Sequence, residues 1–102
     1  MRPAMALPLE QLQDPEFLQV EAFRIELAAP LLVLKAPGGI LACGYLSVLT
    51  MNKLGEVGAI VTGVRTYEDM LRAQVVAVSE RAVQLGITTE HTGREALLIL
   101  CK

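Results

Sequence analysis

Between Val20 and Leu27 polar and apolar residues alternate, the period of a half-buried strand that turns Phe23, Ile25 and Leu27 toward a core. After a break at Pro30, Leu31 to Leu34 is an all-aliphatic run, and Ala36-Pro37-Gly38-Gly39 turns the chain into Ile40 to Tyr45. Two antiparallel core strands joined by a tight loop are expected there. The period then changes: Leu46 to Leu54 carries helical spacing and Gly55 stands where a short helix would stop. Val57 to Val64 is aliphatic and uncharged, which predicts a buried central strand.

Thr66, three residues before Asp69, begins a helical turn through Leu71. Ala73 to Leu85 is expected to form a further helix with Val75, Val78, Ala82 and Leu85 inward and Gly86 as its stop. Ile87 to Thr89 is a short β-branched run, after which Thr92-Gly93-Arg94-Glu95 is a full capping box opening a last helix through Leu100. Residues 1–18, broken by prolines, read as an arm or a short helix (Glu16 to Val20) that packs loosely, and 19–102 as the folded core of a single domain spanning 1–102. The expected fold is mixed α/β, a mostly antiparallel sheet of about four or five strands carrying three short helices.

Composition narrows what such a fold can do. Hydrophobic residues make up 53% of the chain and aromatics 4%, so the core is built from Val, Leu, Ile and Ala. A domain of 102 residues has little interior in which to hide that much aliphatic surface, which predicts self-association, a dimer first. The 9 basic and 11 acidic residues are dispersed, giving a net charge of −2 that suggests neither nucleic acid nor an anionic membrane as partner. The apolar stretch Leu27 to Met51 is interrupted by Pro30, Pro37, Gly38, Gly39 and Gly44, which excludes a spanning helix. The N-terminal stretch is not read as a signal peptide, and Cys43 and Cys101 are too few and too far apart for a disulfide framework, so a reducing cytoplasm is expected.

Three motifs, Cys43-Gly44-Tyr45-Leu46, Gly63-Val64-Arg65-Thr66 and Thr92-Gly93-Arg94-Glu95-Ala96-Leu97, together resemble the YunC-like family of bacterial and archaeal proteins, over roughly Ile40 to Leu100. The resemblance implies a small α/β protein of unassigned function.

Chemistry has few places to reside. Cys43 is either an inert buried thiol or a nucleophile, should a base or helix N-terminus lower its pKa. The single histidine, His91, is far away in sequence and reads as a loop residue before a cap. One His and two Cys make no metal site, no glycine pattern matches a phosphate or dinucleotide loop, and no cofactor is called for. Arg65 follows a buried strand and precedes a helix, the edge of an α/β sheet where ligands bind; its plainer role is a surface ion pair with Glu68 or Asp69. Arg94, in a first helical turn, faces a macrodipole that disfavours a cation, a mismatch that an anion would resolve. Arg65, Thr66, Thr92, Gly93, Arg94 and Glu95 are therefore the candidate ligand-binding residues, with Arg65 and Arg94 expected near one another. Two functions fit: a non-catalytic oligomeric module holding a small anion, or a small enzyme acting on a phosphorylated or carboxylated metabolite through Cys43 and the two arginines.

Overall fold

A computed structural model describes residues 15–102. Its five strands, β1 (Glu21–Ile25), β2 (Leu31–Ala36), β3 (Gly39–Ala42), β4 (Gly58–Ile60) and β5 (Ala77–Val78), lie in the sheet in sequence order. All neighbours are antiparallel except β3 and β4. That parallel pair requires a crossover, supplied by α1 (Val48–Leu54). Three more helices follow: α2 (Tyr67–Arg72), α3 (Glu80–Gln84) and α4 (Gly93–Leu100), one more than the periodicity predicts.

The sheet is covered on both faces. Leu32, Leu34, Leu41, Ala59 and Val61 pack with Met70 of α2 and Ala96, Leu97 and Leu100 of α4 in the main core. The alternate residues Ala42 and Ile60 face the other way and close a smaller cluster around Met51 of α1. Strand alternation thus splits β3 and β4 between two layers of helix.

Caps fix the helices, at Gly55, Thr66 and Thr92 as the sequence predicts and at Ser47 in addition. Ser47 accepts from the amide of Thr50 at the start of α1, and Gly55 ends it in the left-handed region at φ 74°. Thr66 caps α2, and the Thr92–Glu95 pair forms a complete capping box on α4. At the β2–β3 turn, a Cβ on Gly39 would lie 2.4 Å from the carbonyl oxygen of Val57, so only glycine lets β3 lie so close to the entry of β4.

Two local expectations are corrected. The face of β1 is reversed: Ala22 is buried opposite Leu34 and Arg24 lies opposite Leu32, while Ile25 and Leu27 are about half exposed. The segment from Gln74 to Val78 is extended, bridging Thr92 and then pairing with β4, so that the expected helix over 73–85 shrinks to α3 behind the cap Ser79. Leu85 is exposed as a result. In the β-branched run after Gly86, Ile87 is fully buried. Most of the expected arm, residues 1–14, lies outside the described residues; at its end Pro15–Phe17 forms a 3-10 turn and Phe17 is buried in the main core.

Candidate functional site

The parallel pair ends in a cleft of about 330 Å³ at the C-terminal edge of β3 and β4. Ala29 and Pro30 wall one side, Cys43-Gly44-Tyr45 follow β3, and Thr62-Gly63-Val64-Arg65 follow β4. Strand ends that are parallel neighbours leave their loops splayed over a crevice, the usual place for a ligand in an α/β sheet.

Each wall is held by its own hydrogen bonds. The Cys43 amide donates to the carbonyl of Leu32 at 3.1 Å, and the Leu32 amide donates back to Cys43 Sγ at 3.3 Å, which extends the β2–β3 ladder and buries the thiol to 4% exposure. On the other wall the Val61 amide donates to the carbonyl of Ala42 at 2.9 Å, after which Gly63 turns the chain away at φ 71°. Val64 is buried and anchors the loop.

Arg65 is clamped at its backbone by described neighbours. Its amide donates to Asp69 Oδ2 at 3.1 Å, and its carbonyl accepts from Arg24 Nη1 at 2.8 Å. Arg24 is steadied in turn by Glu26. Asp69 also accepts from Arg72, and the Arg65 amide, ahead of Thr66 and Arg72, holds its carboxyl below the usual 3.8 against a smaller upward push from desolvation. Among the described residues no carboxylate lies within ion-pair distance of the Arg65 guanidinium. Nor do the amides of Gly44, Thr62, Gly63 and Val64 find an acceptor among them. A guanidinium and a set of N–H donors around one crevice, none of them paired among the described residues, are suited to an anion.

Arg94 is otherwise engaged. Its guanidinium pairs with Glu16 Oε1 at 2.8 Å and lies over the Phe17 ring, 5.2 Å from the centroid. The anion expected to relieve the helix dipole is therefore a carboxylate of the chain itself. Thr92 and Glu95 are engaged with each other's backbone in the capping box, and Gly93 is packed so tightly that a Cβ would lie 1.9 Å from the carbonyl oxygen of Met70. Thr66 caps α2 beside the cleft. None of Thr92, Gly93, Arg94 or Glu95 lines it.

Cys43 lies in the same crevice as Arg65, but among the described residues the cleft's lining holds no His or carboxylate to take the thiol's proton. His91 is half-buried, and its Nδ1 accepts from the Thr88 amide at 3.0 Å in the loop before α4. Cys101 lies on the C-terminal side of α4, where burial pushes its thiol above the ordinary value. Among the described residues no group of three or more His, Cys, Asp or Glu is arranged to hold a metal.

Sequence reasoning did not place Ala29, Pro30, Gly44, Tyr45, Val64, Thr62 or Gly63 in the site. The strand–helix–strand order 40–45, 46–54, 57–64 was a usable signal for the last two, because such a unit makes neighbouring strands parallel and brings their C-terminal ends together. Ala29 and Pro30 are delivered by the β1–β2 connection, and nothing local marks them.

Residues 42–100 match the family model described as a domain of unknown function, DUF1805. The chain belongs to this family. It is similar to the uncharacterized protein YunC of Bacillus subtilis, 41% identical over 68 residues that span 63% of this chain and 67% of YunC. It is also similar to a crystal structure of a protein of unknown function from Thermoplasma acidophilum, with a TM-score of 0.74 and 39% identity, over 76% of this chain and 78% of the other. The matched region carries both loops of the cleft that follow β3 and β4, so membership agrees with the resemblance drawn from the three motifs.

Proposed function

We propose that the chain is a non-catalytic module that binds a small anion in the cleft between Cys43-Gly44 and Thr62–Arg65. The observation that carries this reading is Arg65, which lines the crevice with its backbone fixed on both sides and with no carboxylate of the described residues within ion-pair distance of its guanidinium. Fixing the backbone lowers the ordering cost of binding, and a guanidinium offers a planar fork of donors to a carboxylate or phosphate. Arg94 is left out of the site because Glu16 and Phe17 hold it.

Self-association to at least a dimer belongs to the same proposal, supported by the solvent-facing Ile25, Leu27, Val83 and Leu85. No helix among the described residues is long and apolar enough to cross a membrane, and both cysteines are free thiols, which supports a reducing, cytoplasmic setting. The enzymatic alternative, Cys43 as nucleophile, is less favoured because a thiol in this cleft has no base beside it.

The test is thermal. Phosphate or acetate at millimolar concentration is expected to raise the melting temperature of the native chain, and Arg65→Ala to remove most of that rise. Excluded salts stabilise proteins generally, so Arg94→Ala serves as the control that keeps the rise. Equal rises in the native protein and Arg65→Ala contradict the proposal.

A further inference from the structure

Tyr45 stands in the wall of two cavities. One is the Arg65 cleft; the other is a groove of about 470 Å³ between β3 and α1, lined mostly by apolar Ile40, Leu46, Met51 and Leu54, with Ser47, Thr50 and Glu56 as its polar members. The tyrosine is 48% exposed, so its ring is presented to solvent at the junction. Leu54 is 69% exposed, so the groove has an apolar, open far end.

Resting on the anion reading of the cleft, we infer that its occupant is a monocarboxylate with a slender apolar body, the carboxylate on Arg65 and the body passing Tyr45 into the groove beside α1. The charge argument favours one negative charge. Among the described residues Arg65 is the single cation in the lining of the cleft, and a guanidinium meets a carboxylate with two parallel hydrogen bonds. A phosphate monoester would bring a charge of about −1.5 to −2 against that one cation. The apolar argument is independent of it: Ala29, Pro30, Cys43 and Val64 give the cleft hydrocarbon walls, which a bare inorganic anion leaves unused, and the next cavity along is apolar too.

The probes are acetate, octanoate, octanol and inorganic phosphate, titrated into the full chain and followed by amide chemical shifts. Octanoate should bind at least a hundred-fold more tightly than acetate, since each buried methylene is worth about four-fold in affinity and four of its six extra methylenes suffice. Leu54→Glu, at an exposed position that leaves the fold intact by circular dichroism, should weaken octanoate ten-fold or more and leave acetate unchanged. Arg65→Ala should weaken octanoate and acetate alike. Acetate as tight as octanoate, phosphate tighter than octanoate, or indifference of octanoate to Leu54→Glu overturns the inference while leaving an anion site at Arg65. Octanol as tight as octanoate, or indifference to Arg65→Ala, overturns the anion site as well, as does binding of none of the four probes. If octanoate is excluded from a dimer that Leu54→Glu converts to monomer, the groove belongs to a second copy of the chain and the inference is wrong.

Discussion

At the scale of single residues, the most constrained positions are those where backbone meets backbone. Gly93 opens α4 against the carbonyl of Met70, and no side chain fits between them. Gly93→Ala is expected to destabilise the fold by about 2 kcal/mol or more, because neither helix can move away without opening the core; equilibrium urea unfolding measures it. Asp69 shows how one carboxylate holds the cleft's second loop. Its carboxyl lies below 3.8 because the Arg65 amide and Thr66 stabilise the charged form. A carboxyl depressed by folding contributes stability that is fully present above the unfolded value and is lost as pH falls through the folded one. The melting temperature of the native protein should therefore exceed that of Asp69→Asn at pH 6, with the gap closing below pH 3.8. A gap that is constant or widens on acidification rules out this role. The arginines carry a further lesson: two similar positions before or within a first helical turn have different fates, because the partner of Arg94 lies 78 residues away at Glu16, a distance no local pattern spans.

At the scale of elements, capping chemistry was legible and strand facing was not. Ser47, Thr66 and Thr92 cap three helices at positions readable from the chain, since a cap needs only a hydroxyl and an amide two or three residues on. Thr92→Ala should cost about 1 kcal/mol, seen as a lower urea midpoint with unchanged slope. The alternation in 21–27 misleads because the sheet has helices on both sides: the inward positions Ala22 and Arg24 are small or long-stemmed, while Ile25 is left at the open end of the outer face. The helix expected over 73–85 fails for a related reason. Val75-Val76-Ala77-Val78 satisfies a helical spacing and an extended one equally, and the free edge of β4 selects the extended form. The cleft itself was half legible: Cys43 and Arg65 are visible as residues, but their meeting depends on β3 and β4 being parallel, which follows from the order of elements and not from any motif.

At the scale of the whole molecule, a thin sheet carries a full core on one face and a small one on the other, and leaves several large aliphatic side chains in solvent. Light scattering at micromolar concentration should give a mass at least twice the 11.0 kDa of the chain; a monomer would show that this surface is simply tolerated. The crossover through α1 sets one crevice at the edge of that sheet, and the claim on which the functional account rests is that an anion occupies it. Amide chemical shifts test this most directly. On titration with acetate, the resonances of Gly44, Thr62, Gly63 and Val64 should move together and saturably, those of Thr92 to Glu95 should stay in place, and Arg65→Ala should abolish the response. Shifts scattered over the surface, centred on α4, or unchanged in Arg65→Ala would contradict it.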